Sequence, residues 1–391
     1  MVDYGKMSLQ KHLETGGKWE IKSKFELKTQ DDLAVAYTPG VASVCTRISE
    51  HPEEVYNLTM KGQSVAIISD GSAVLGLGNI GPEAALPVME GKAILFKEFA
   101  NLDGVPLVVD SQSSAEIINL VKLVAPTFGG VNLEDIAAPK CFEIENALQD
   151  LGIPVFHDDQ HGTAIVLLAA LINSCRVLDK KIEDIKVVIN GAGAAGTAIA
   201  RLLRCVAQDP NVCIPVRSVI VCDSKGIISA DRDNLNDYKK ELLNYTNHNG
   251  LSGSLQDALQ GADVFIGVSK GNLLNADDIK SMAEDCIILA MANPTPEIMP
   301  DIALAAGAAI VGTGRSDFPN QVNNVLVFPG IFRGALDAKA KRITPAMKIA
   351  AAYALAGATG EISRDRILPD ALDRSVAGVV AAAVKEEALK G

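Results

Sequence analysis

The feature that most constrains the fold of this chain is a glycine-rich loop, Gly191–Gly196, that lies between a strand-like run and a helix-like run. Ile185–Ile189 is apolar and β-branched, and Thr197–Val206 has the spacing of a helix. In this context the three glycines of G-x-G-x-x-G permit a tight turn, close approach of the backbone to a pyrophosphate, and close packing of the helix on the strand. The helix N-terminus adds free N–H groups for the phosphates. The pattern therefore predicts a Rossmann-type dinucleotide-binding domain.

A second strand-like run, Ser218–Cys222, ends at Asp223, which lies 27 residues past the last glycine of the loop. The usual interval is about 20 residues, and the Pro210–Pro215 loop accounts for the excess. An acid at this place typically accepts hydrogen bonds from the adenosine ribose, which favours NAD over NADP. Ser224 and Lys225 follow it and could instead contact a 2′-phosphate, so NADP stays open. The alternative, a glycine turn that binds nothing, is disfavoured by the strand–loop–helix context.

Composition excludes several classes of protein. The net charge is −12, from 36 Lys and Arg against 48 Asp and Glu, which argues against a nucleic-acid or anionic-membrane surface but leaves small anionic substrates open. Met1–Gln10 is polar, unlike a signal peptide, and no apolar run reaches the roughly 18 residues of a membrane helix. We therefore expect a cytoplasmic enzyme. Seven scattered cysteines without a C-x-x-C pair predict buried, reduced thiols: Cys45, Cys141, Cys175, Cys205, Cys213, Cys222 and Cys286.

In the first half of the chain, acidic residues follow four short apolar runs that have the character of strands. In an open α/β sheet, the carboxyl ends of the strands form the edge where ligands bind. Three carboxylates meeting there would suit Mg²⁺ or Mn²⁺, which prefer oxygen ligands, although loop or cap positions are an alternative. The runs are Ser64–Ser69, Val105–Val109, Phe128–Asn132 and Pro154–His157, and the acids are Asp70, Asp110, Glu134, Asp135, Asp158 and Asp159.

Other side chains suggest proton transfer. Lys92 lies among apolar residues of a predicted helix, Ala84–Phe99, where desolvation would lower its pKa and make it a candidate base; an ordinary solvated lysine is the alternative. Tyr37 precedes a Thr-Pro-Gly turn and could simply pack its ring.

His157 and His161 are four residues apart, a spacing that can bind zinc, but the loop-like interval between them and the lack of a third ligand disfavour zinc.

The order of elements predicts an α/β fold of two domains. Residues 1–160 would form an N-terminal α/β catalytic domain. Residues 161–391 would form a doubly wound Rossmann domain with C-terminal helices. A long apolar helix, Thr163–Leu178, would connect the two. The Ala-rich tail, Pro345–Gly391, is helical in period with a break at Pro369.

Taken together, the motifs resemble malic enzyme of the short bacterial form. The matching segments occur in the family's order and cover the chain from about residue 20 to 340. They are Ala36–Ala42 (AYTPGVA), Asp70–Gly81 (DGSAVLGLGNIG), Pro87–Phe96 (PVMEGKAILF), Asn132–Ile136 (NLEDI), Phe156–Ala164 (FHDDQHGTA), Asn190–Gly196 (NGAGAAG), Ala292–Thr295 (ANPT) and Asn320–Gly330 (NQVNNVLVFPG).

The resemblance implies oxidative decarboxylation of (S)-malate to pyruvate and CO₂ with NAD or NADP and Mg²⁺ or Mn²⁺. It also implies at least a homodimer, in which Tyr37 or Lys92 reaches the partner's site, and activity towards oxaloacetate. The resemblance implies that Tyr37 is the general acid, that Lys92 is the general base, and that Asp158 orients Lys92. It implies metal binding by Glu134, Asp135 and Asp159, and substrate binding by Ser72, Asn293 and Asn323. The implied cofactor-binding residues are Gly191, Ala192, Gly193, Ala194, Ala195, Gly196, Asp223 and Asn293.

One position departs from the long, animal-type members of the family. Those enzymes carry an arginine that clamps a malate carboxylate, and this chain has Ala73 there. Ser72, or backbone N–H groups near Gly76–Gly78, would have to replace it. Three other functions stay open: a malolactic enzyme that yields lactate, a non-catalytic dinucleotide sensor, and another decarboxylating or amino-acid dehydrogenase on a similar scaffold.

Overall fold

The structure, a computed structural model, describes residues 3–74, 76–209 and 213–390. Leu75 of the glycine-rich segment and part of the Pro210–Pro215 loop lie outside the described residues, as does Gly391. Within the described ranges, two sheets with helices around them follow each other along the chain, as the α/β pattern predicts. No helix in these ranges is long and apolar enough to cross a membrane.

The first sheet has four parallel strands in the order β2-β1-β3-β4. The edge strand β2 contains Pro106, which has no N–H to donate and is tolerated at an edge. Gly104 in the same strand lets the helix Pro82–Ala100 pack closely, since a Cβ there would lie 2.8 Å from Ala93 Cα. The strands are β1 (Ser64–Ser69), β2 (Asp103–Val108), β3 (Gly130–Leu133) and β4 (Val155–His157).

The second sheet has six strands in the order β10-β9-β8-β5-β6-β7, and the edge strand β7 is antiparallel to its neighbour. The first strand of this unit, β5, lies in the middle, so the order reverses beside it. That is the switch point at which Rossmann sheets bind dinucleotides. The strands are β5 (Lys186–Asn190), β6 (Ser218–Asp223), β7 (Gly226–Ile227), β8 (Val264–Gly267), β9 (Ile287–Ala290) and β10 (Ile310–Thr313).

Helices cover both sheets and form the C-terminal tail. They are α1 (Tyr4–Thr15), α2 (Gln30–Ala36), α3 (Val41–Glu50), α4 (Val55–Leu58), α5 (Pro82–Ala100), α6 (Ser114–Val124), α7 (Lys140–Leu148), α8 (Asp158–Val177), α9 (Ala194–Leu203), α10 (Asp237–Leu242), α11 (Leu255–Leu259), α12 (Ala276–Lys280), α13 (Pro300–Ala305), α14 (Phe328–Asp337), α15 (Pro345–Ala358) and α16 (Ser375–Ala388). The predicted break of the tail at Pro369 corresponds to the irregular segment between α15 and α16.

Helix α8 leads from the first sheet to the second and is buried at every position from Ala164 to Cys175. A helix that is apolar on all sides belongs in a core, and α8 packs against α9 and α15.

Helix α8 begins at Asp158, five residues before the predicted start at Thr163. The expectation that the interval between His157 and His161 is loop-like was therefore wrong, because the acidic pair occupies the first helical turn, where negative charge is favourable.

The expectation that all seven cysteines are buried, reduced thiols was also wrong. Cys205 and Cys213 form a disulfide, with their Cα atoms 5.8 Å apart. Both lie in the connection between α9 and β6, and a separation of eight residues does not by itself indicate that they pair. Cys45 is exposed, and the other four cysteines are free and buried.

The N-terminal segment, which carries helices α1 to α4, is poorly buried against the rest of the chain. None of the residues of α1, α2, α3 or α4 is buried. Gly17 and Lys18 dock on α5, where Lys18 N–H donates to Glu90 Oε2 at 3.0 Å. Large apolar side chains of the segment face solvent: Met7, Leu9, Leu13, Ile21, Phe25, Leu27, Leu33 and Val35.

Candidate active site

Two neighbouring strands bring the predicted acidic residues together. Glu134 and Asp135 directly follow β3, and Asp158 and Asp159 directly follow β4. Because β3 and β4 are parallel and paired, both acidic pairs lie at the same edge of the first sheet. Asp135 N–H donates to Asp159 Oδ2 at 2.8 Å, which joins the two loops.

The carboxylates of Glu134, Asp135 and Asp159 each place an oxygen within 4.8 Å of the others. Burial raises the pKa of Glu134 to about 7 and that of Asp159 to about 6. Repulsion by Asp159 adds to the rise at Glu134 and repulsion by Asp158 to the rise at Asp159, while the charge of Lys92 acts in the opposite direction on both. Raised values mean that the anions are poorly stabilised here and would gain from a bound cation. An all-oxygen set of this kind fits Mg²⁺ or Mn²⁺. Among the described residues, these three acids are the cluster whose ligand atoms lie close enough together to hold a metal ion.

Lys92 lies on α5 beside these acids and is 8 % exposed. Its Nζ is 3.0 Å from Glu134 Oε1, forms an ion pair with Asp158, and lies 4.3 Å from the centroid of the Phe328 ring. The prediction that Lys92 has a lowered pKa was wrong for the chain without a bound cation. Burial does lower the pKa of Lys92, but the charges of Asp158, Glu134 and Asp159 outweigh it and raise the value.

Asp158 holds Lys92 in place and is itself held by a residue that sequence reasoning missed. Asn324 Nδ2 donates to Asp158 Oδ2 at 2.6 Å. Burial raises the pKa of Asp158 to about 7, while Lys92 and Asn324 act in the opposite direction. Gly162 makes room for the carboxylate, because a Cβ there would lie 1.8 Å from Asp158 Oδ1. The N-Q-V-N-N segment at residues 320–324, which pointed to Asn323, was the available signal for Asn324.

The predicted substrate residue Ser72 is fully hydrogen-bonded within the chain. Its hydroxyl donates to Asp70 Oδ1 at 2.6 Å and accepts from Ala137 N–H at 2.9 Å. Asp70 also forms an ion pair with Lys140, a cation that sequence reasoning did not consider. Ser72 and Lys140 line a cavity of about 450 Å³ together with Asn79.

The remaining predicted residues lie in different surroundings. Tyr37 ends α2 and is 67 % exposed. Asn323 Oδ1 accepts from Val325 N–H at 3.0 Å and so caps the short 3₁₀ turn that follows it. The carbonyl of Asn293 faces the glycine-rich loop of the first sheet, where a Cβ on Gly76 would lie 2.4 Å from it.

A cleft of about 950 Å³ opens at the switch point of the second sheet. The glycine loop lines it through Gly191, Ala192 and Gly193, and α9 begins directly afterwards at Ala194. Gly191 has a φ of 131°, which other residues rarely adopt, and Gly196 has no room for a side chain because a Cβ would lie 1.7 Å from Gly191 O. Residues 138, 139 and 142 of the first half of the chain also line this cleft.

Asp223 ends β6 and lines the same cleft, but its carboxylate is engaged by neighbours. Arg232 donates to both oxygens at 3.0 and 2.9 Å, Lys239 Nζ to Oδ2 at 2.7 Å, and Lys225 N–H to Oδ1 at 2.9 Å. Burial would raise its pKa, but the hydrogen bonds of Arg232, Lys239 and Lys225 lower the pKa of Asp223 to about 2.

Comparison with known sequence families covers most of the chain. A profile described as "Malic enzyme, NAD binding domain" matches residues 160–389, and one described as "Malic enzyme, N-terminal domain" matches residues 16–116.

Individual proteins match over almost the full length. The "Bifunctional malic/malolactic enzyme" of Bacillus subtilis (strain 168) is 54% identical over 387 residues, which are 98% of this chain and 92% of the relative. The "NAD-dependent malic enzyme" of Geobacillus stearothermophilus is 52% identical over 381 residues, or 97% of this chain and 78% of the relative. The crystal structure of NAD-dependent malic enzyme from Thermotoga maritima has a TM-score of 0.92 at 47% identity and covers 98% of this chain and 99% of its own.

Proposed function

Because the chain belongs to the malic enzyme family, we propose that it oxidises and decarboxylates (S)-malate to pyruvate and CO₂, with a nicotinamide dinucleotide as hydride acceptor. The observation that carries this proposal is the position of Lys92 Nζ, 3.0 Å from Glu134 Oε1 and paired with Asp158, at the edge of a three-carboxylate cluster. A lysine in that place can exchange a proton with a hydroxyl bound at the cluster.

Each side chain then has a defined task. Glu134, Asp135 and Asp159 would hold Mg²⁺ or Mn²⁺, and malate would bind there through its C1 carboxylate and C2 hydroxyl. When bound, the ion would supply Lewis acidity at the C2 oxygen, and a nicotinamide in the cleft would supply the acceptor for the C2 hydride. Lys92 Nζ takes the hydroxyl proton while Asp158 holds it in place.

Tyr37 supplies the second proton of the reaction. Once the C4 carboxylate has left as CO₂, C3 carries the electron pair of the broken bond and needs a proton to give pyruvate. The Tyr37 hydroxyl donates it. The two proton-transferring groups thus need opposite protonation states at the start of the reaction, one as an acid and one as a base.

The distal carboxylate of malate needs a partner, because Ala73 stands where long members of the family have arginine. We propose that Lys140 serves this purpose, because the Ser72 hydroxyl already donates its only proton to Asp70. Lys140 keeps two N–H donors beyond its pair with Asp70, and it lines a cavity beside the loop that carries Glu134 and Asp135.

A second copy of the chain would complete the site. Eight large apolar side chains of the N-terminal segment face solvent within one chain, and exposed apolar surface of this extent is expected at an interface. A homodimer with two-fold symmetry would cover the segment on both subunits at once. We propose that Tyr37, exposed on this segment, acts in the site of the partner subunit.

Initial rates with malate, Mn²⁺ and either NAD or NADP test the function, provided that pyruvate and lactate are both quantified. We expect reduced cofactor and pyruvate in equal amounts. Lactate without net cofactor reduction would instead assign the malolactic reaction, which the name of the Bacillus subtilis relative includes. Folded protein that binds a dinucleotide and turns over no malate would be a sensor, and the proposal would be wrong.

A further inference from the structure

A buried acid that the proposed reaction does not use lies at the edge of the second sheet. Glu297 is 0 % exposed, and its carboxylate joins two loops: Oε1 accepts from Ser269 N–H at 3.3 Å, and Oε2 accepts from Ala292 N–H at 3.0 Å. Gly267 makes room for it, because a Cβ there would lie 2.2 Å from Glu297 Cδ. The carboxylate therefore lies between the end of β8 and the end of β9.

These two strands lie on the side of the cleft that would take the nicotinamide. A dinucleotide crosses a Rossmann sheet at the switch point, with its adenosine ribose at the end of the second strand, here β6. The other half of the ligand then lies on the opposite side of β5, where β8 and β9 follow. Ser269 lines the cleft on this side and is fixed by Asn190, whose Nδ2 donates to Ser269 Oγ at 2.8 Å.

The negative charge of Glu297 is not balanced by a cation. Among the residues that the structure describes, no lysine, arginine or histidine is paired with its carboxylate. Lys270 lines the cleft but is exposed, and Arg315 is paired with Asp317 at 2.6 Å. Burial raises the pKa of Glu297, while the N–H groups that donate to it act in the opposite direction. A buried anion in such surroundings would gain from a positively charged ligand nearby.

We propose that Glu297 favours binding of the oxidised cofactor over the reduced cofactor, because its negative charge lies on the nicotinamide side of the cleft. The oxidised nicotinamide ring carries a positive charge, and the reduced ring is neutral. A fixed anion therefore stabilises the first and does little for the second. The inference rests on the proposed function in one respect, that the dinucleotide carries a nicotinamide. It concerns binding alone and requires neither malate nor a metal ion.

The role has a consequence for the order of events at the site. The ring loses its positive charge when it accepts a hydride, so the carboxylate that holds the oxidised cofactor no longer attracts the product. Reduced cofactor would then be released more readily. By linkage, tighter binding of the oxidised form also lowers the reduction potential of the bound cofactor. Glu297 thus exchanges some driving force of hydride transfer for turnover of the cofactor.

Binding of three probes tests the inference without turnover. Calorimetry gives the affinity of the full-length protein for NAD⁺, for NADH and for ADP-ribose, which lacks the nicotinamide. Glu297→Gln keeps the size of the side chain and removes its charge. Two unit charges about 10 Å apart at an effective dielectric constant of about 20 change an equilibrium constant roughly tenfold. We expect the ratio of NAD⁺ affinity to NADH affinity to fall by about three- to tenfold in the variant.

ADP-ribose and a second variant separate charge from structure. A merely structural role of Glu297 would weaken NAD⁺ and NADH equally and leave their ratio unchanged, whatever happens to ADP-ribose, and this result would overturn the inference. Asp301→Asn is the matched control, because Asp301 lies four residues further along the chain but is exposed, where water and salt screen its charge. Equal changes of the ratio in both variants would also overturn the inference.

The wild-type protein provides a measurement that does not depend on folding of the variant. It should bind NAD⁺ more tightly than NADH, and tighter binding of NADH would contradict the proposal. The pair NADP⁺ and NADPH differs in ring charge in the same way. This pair, with 2′-phospho-ADP-ribose as the matched probe, replaces the first set if the chain binds the phosphorylated cofactor more tightly.

The inference and the proposed function fail separately. A ratio that falls in Glu297→Gln, in a protein that turns over no malate, would reject the function and keep the role of Glu297. Turnover of malate to pyruvate by a protein whose ratio does not depend on Glu297 would keep the function and reject the inference.

Discussion

Lys92 Nζ lies 3.0 Å from Glu134 Oε1, so the predicted base and a predicted metal ligand are in contact. The charge of the acidic cluster is what holds Lys92 protonated against the effect of burial. A cation bound at the cluster would compensate part of that charge and favour release of the proton. Binding of the ion and activation of the base are thus coupled through the acids that surround Lys92.

Metal binding should stabilise the fold. An ion that binds the folded chain alone adds about 2.7 kcal/mol at one hundred times its dissociation constant, so Mn²⁺ should raise Tm in a thermal melt. Asp159→Asn should abolish the increase. Asp110→Asn is the control, because Asp110 follows β2 at the same edge of the sheet but is exposed and outside the cluster. Equal increases in both variants would place the ion elsewhere.

Lys92→Arg should keep the positive charge but remove the base. Arginine does not lose its proton in proteins, and loss of a general base costs about 10²- to 10⁴-fold in rate. We expect kcat for malate to fall by that range, while the Mn²⁺-induced increase in Tm persists. Lys97→Arg should retain normal kcat, because Lys97 lies on the same helix but is exposed and paired with half-buried Asp103. An active Lys92→Arg enzyme would show that another group takes the proton.

Mixing of subunits should reveal whether Tyr37 acts across the dimer. Tyr37→Phe and Lys92→Ala are each expected to be inactive as homodimers. If Tyr37 serves the partner's Lys92, a heterodimer has one intact site, and random mixing restores about a quarter of wild-type activity. Unfolding and refolding the two variants together, against each alone, provides the measurement. No recovery from a verified heterodimer would place both residues in one subunit.

The buried pair of Glu145 and His161 should contribute pH-dependent stability. His161 Nε2 lies 2.7 Å from Glu145 Oε1. Burial would raise the pKa of Glu145, but His161 and Lys348 lower it to about 2, against an ordinary value of 4.5. A lowered carboxylate pKa stabilises the fold above the unfolded value, and this contribution is lost as the pH falls from about 4.5 to 2.

Glu145→Gln should therefore lower the free energy of unfolding by about 1–3 kcal/mol at pH 7, and the difference from wild type should shrink below pH 4.5. Denaturant titrations at several pH values measure it. Glu143→Gln is the control, because Glu143 lies on the same helix but is exposed. A difference that stays constant with pH would mean that the charge of Glu145 is not what stabilises the fold.

Sequence alone predicted the features that local chemistry determines. The glycine loop needs a positive φ at Gly191 and a missing side chain at Gly196, and both requirements are met. Acidic residues placed after strands also came together, because parallel strands end at the same edge. These arrangements depend on a few adjacent residues and on a general property of sheets, so a pattern is sufficient to find them.

Contacts between distant segments could not be predicted in this way. Asn324 donates to Asp158 from 166 residues away, and nothing near either residue indicates the partner. Asp223 has the position of a ribose acceptor, yet Arg232 and Lys239 approach it from later segments. The pKa of Lys92 is raised, whereas the sequence predicted a lowered value, for the same reason: its surroundings include charged as well as apolar side chains.

Helix α8 begins with Asp158 and Asp159, runs through the core and packs along α9, which starts at the glycine loop. Its 20 residues span about 30 Å. The acidic pair and the glycine loop thus stand at the first turns of two helices that pack on each other in the core. The core that makes the chain stable is therefore also what connects the acidic cluster to the dinucleotide cleft.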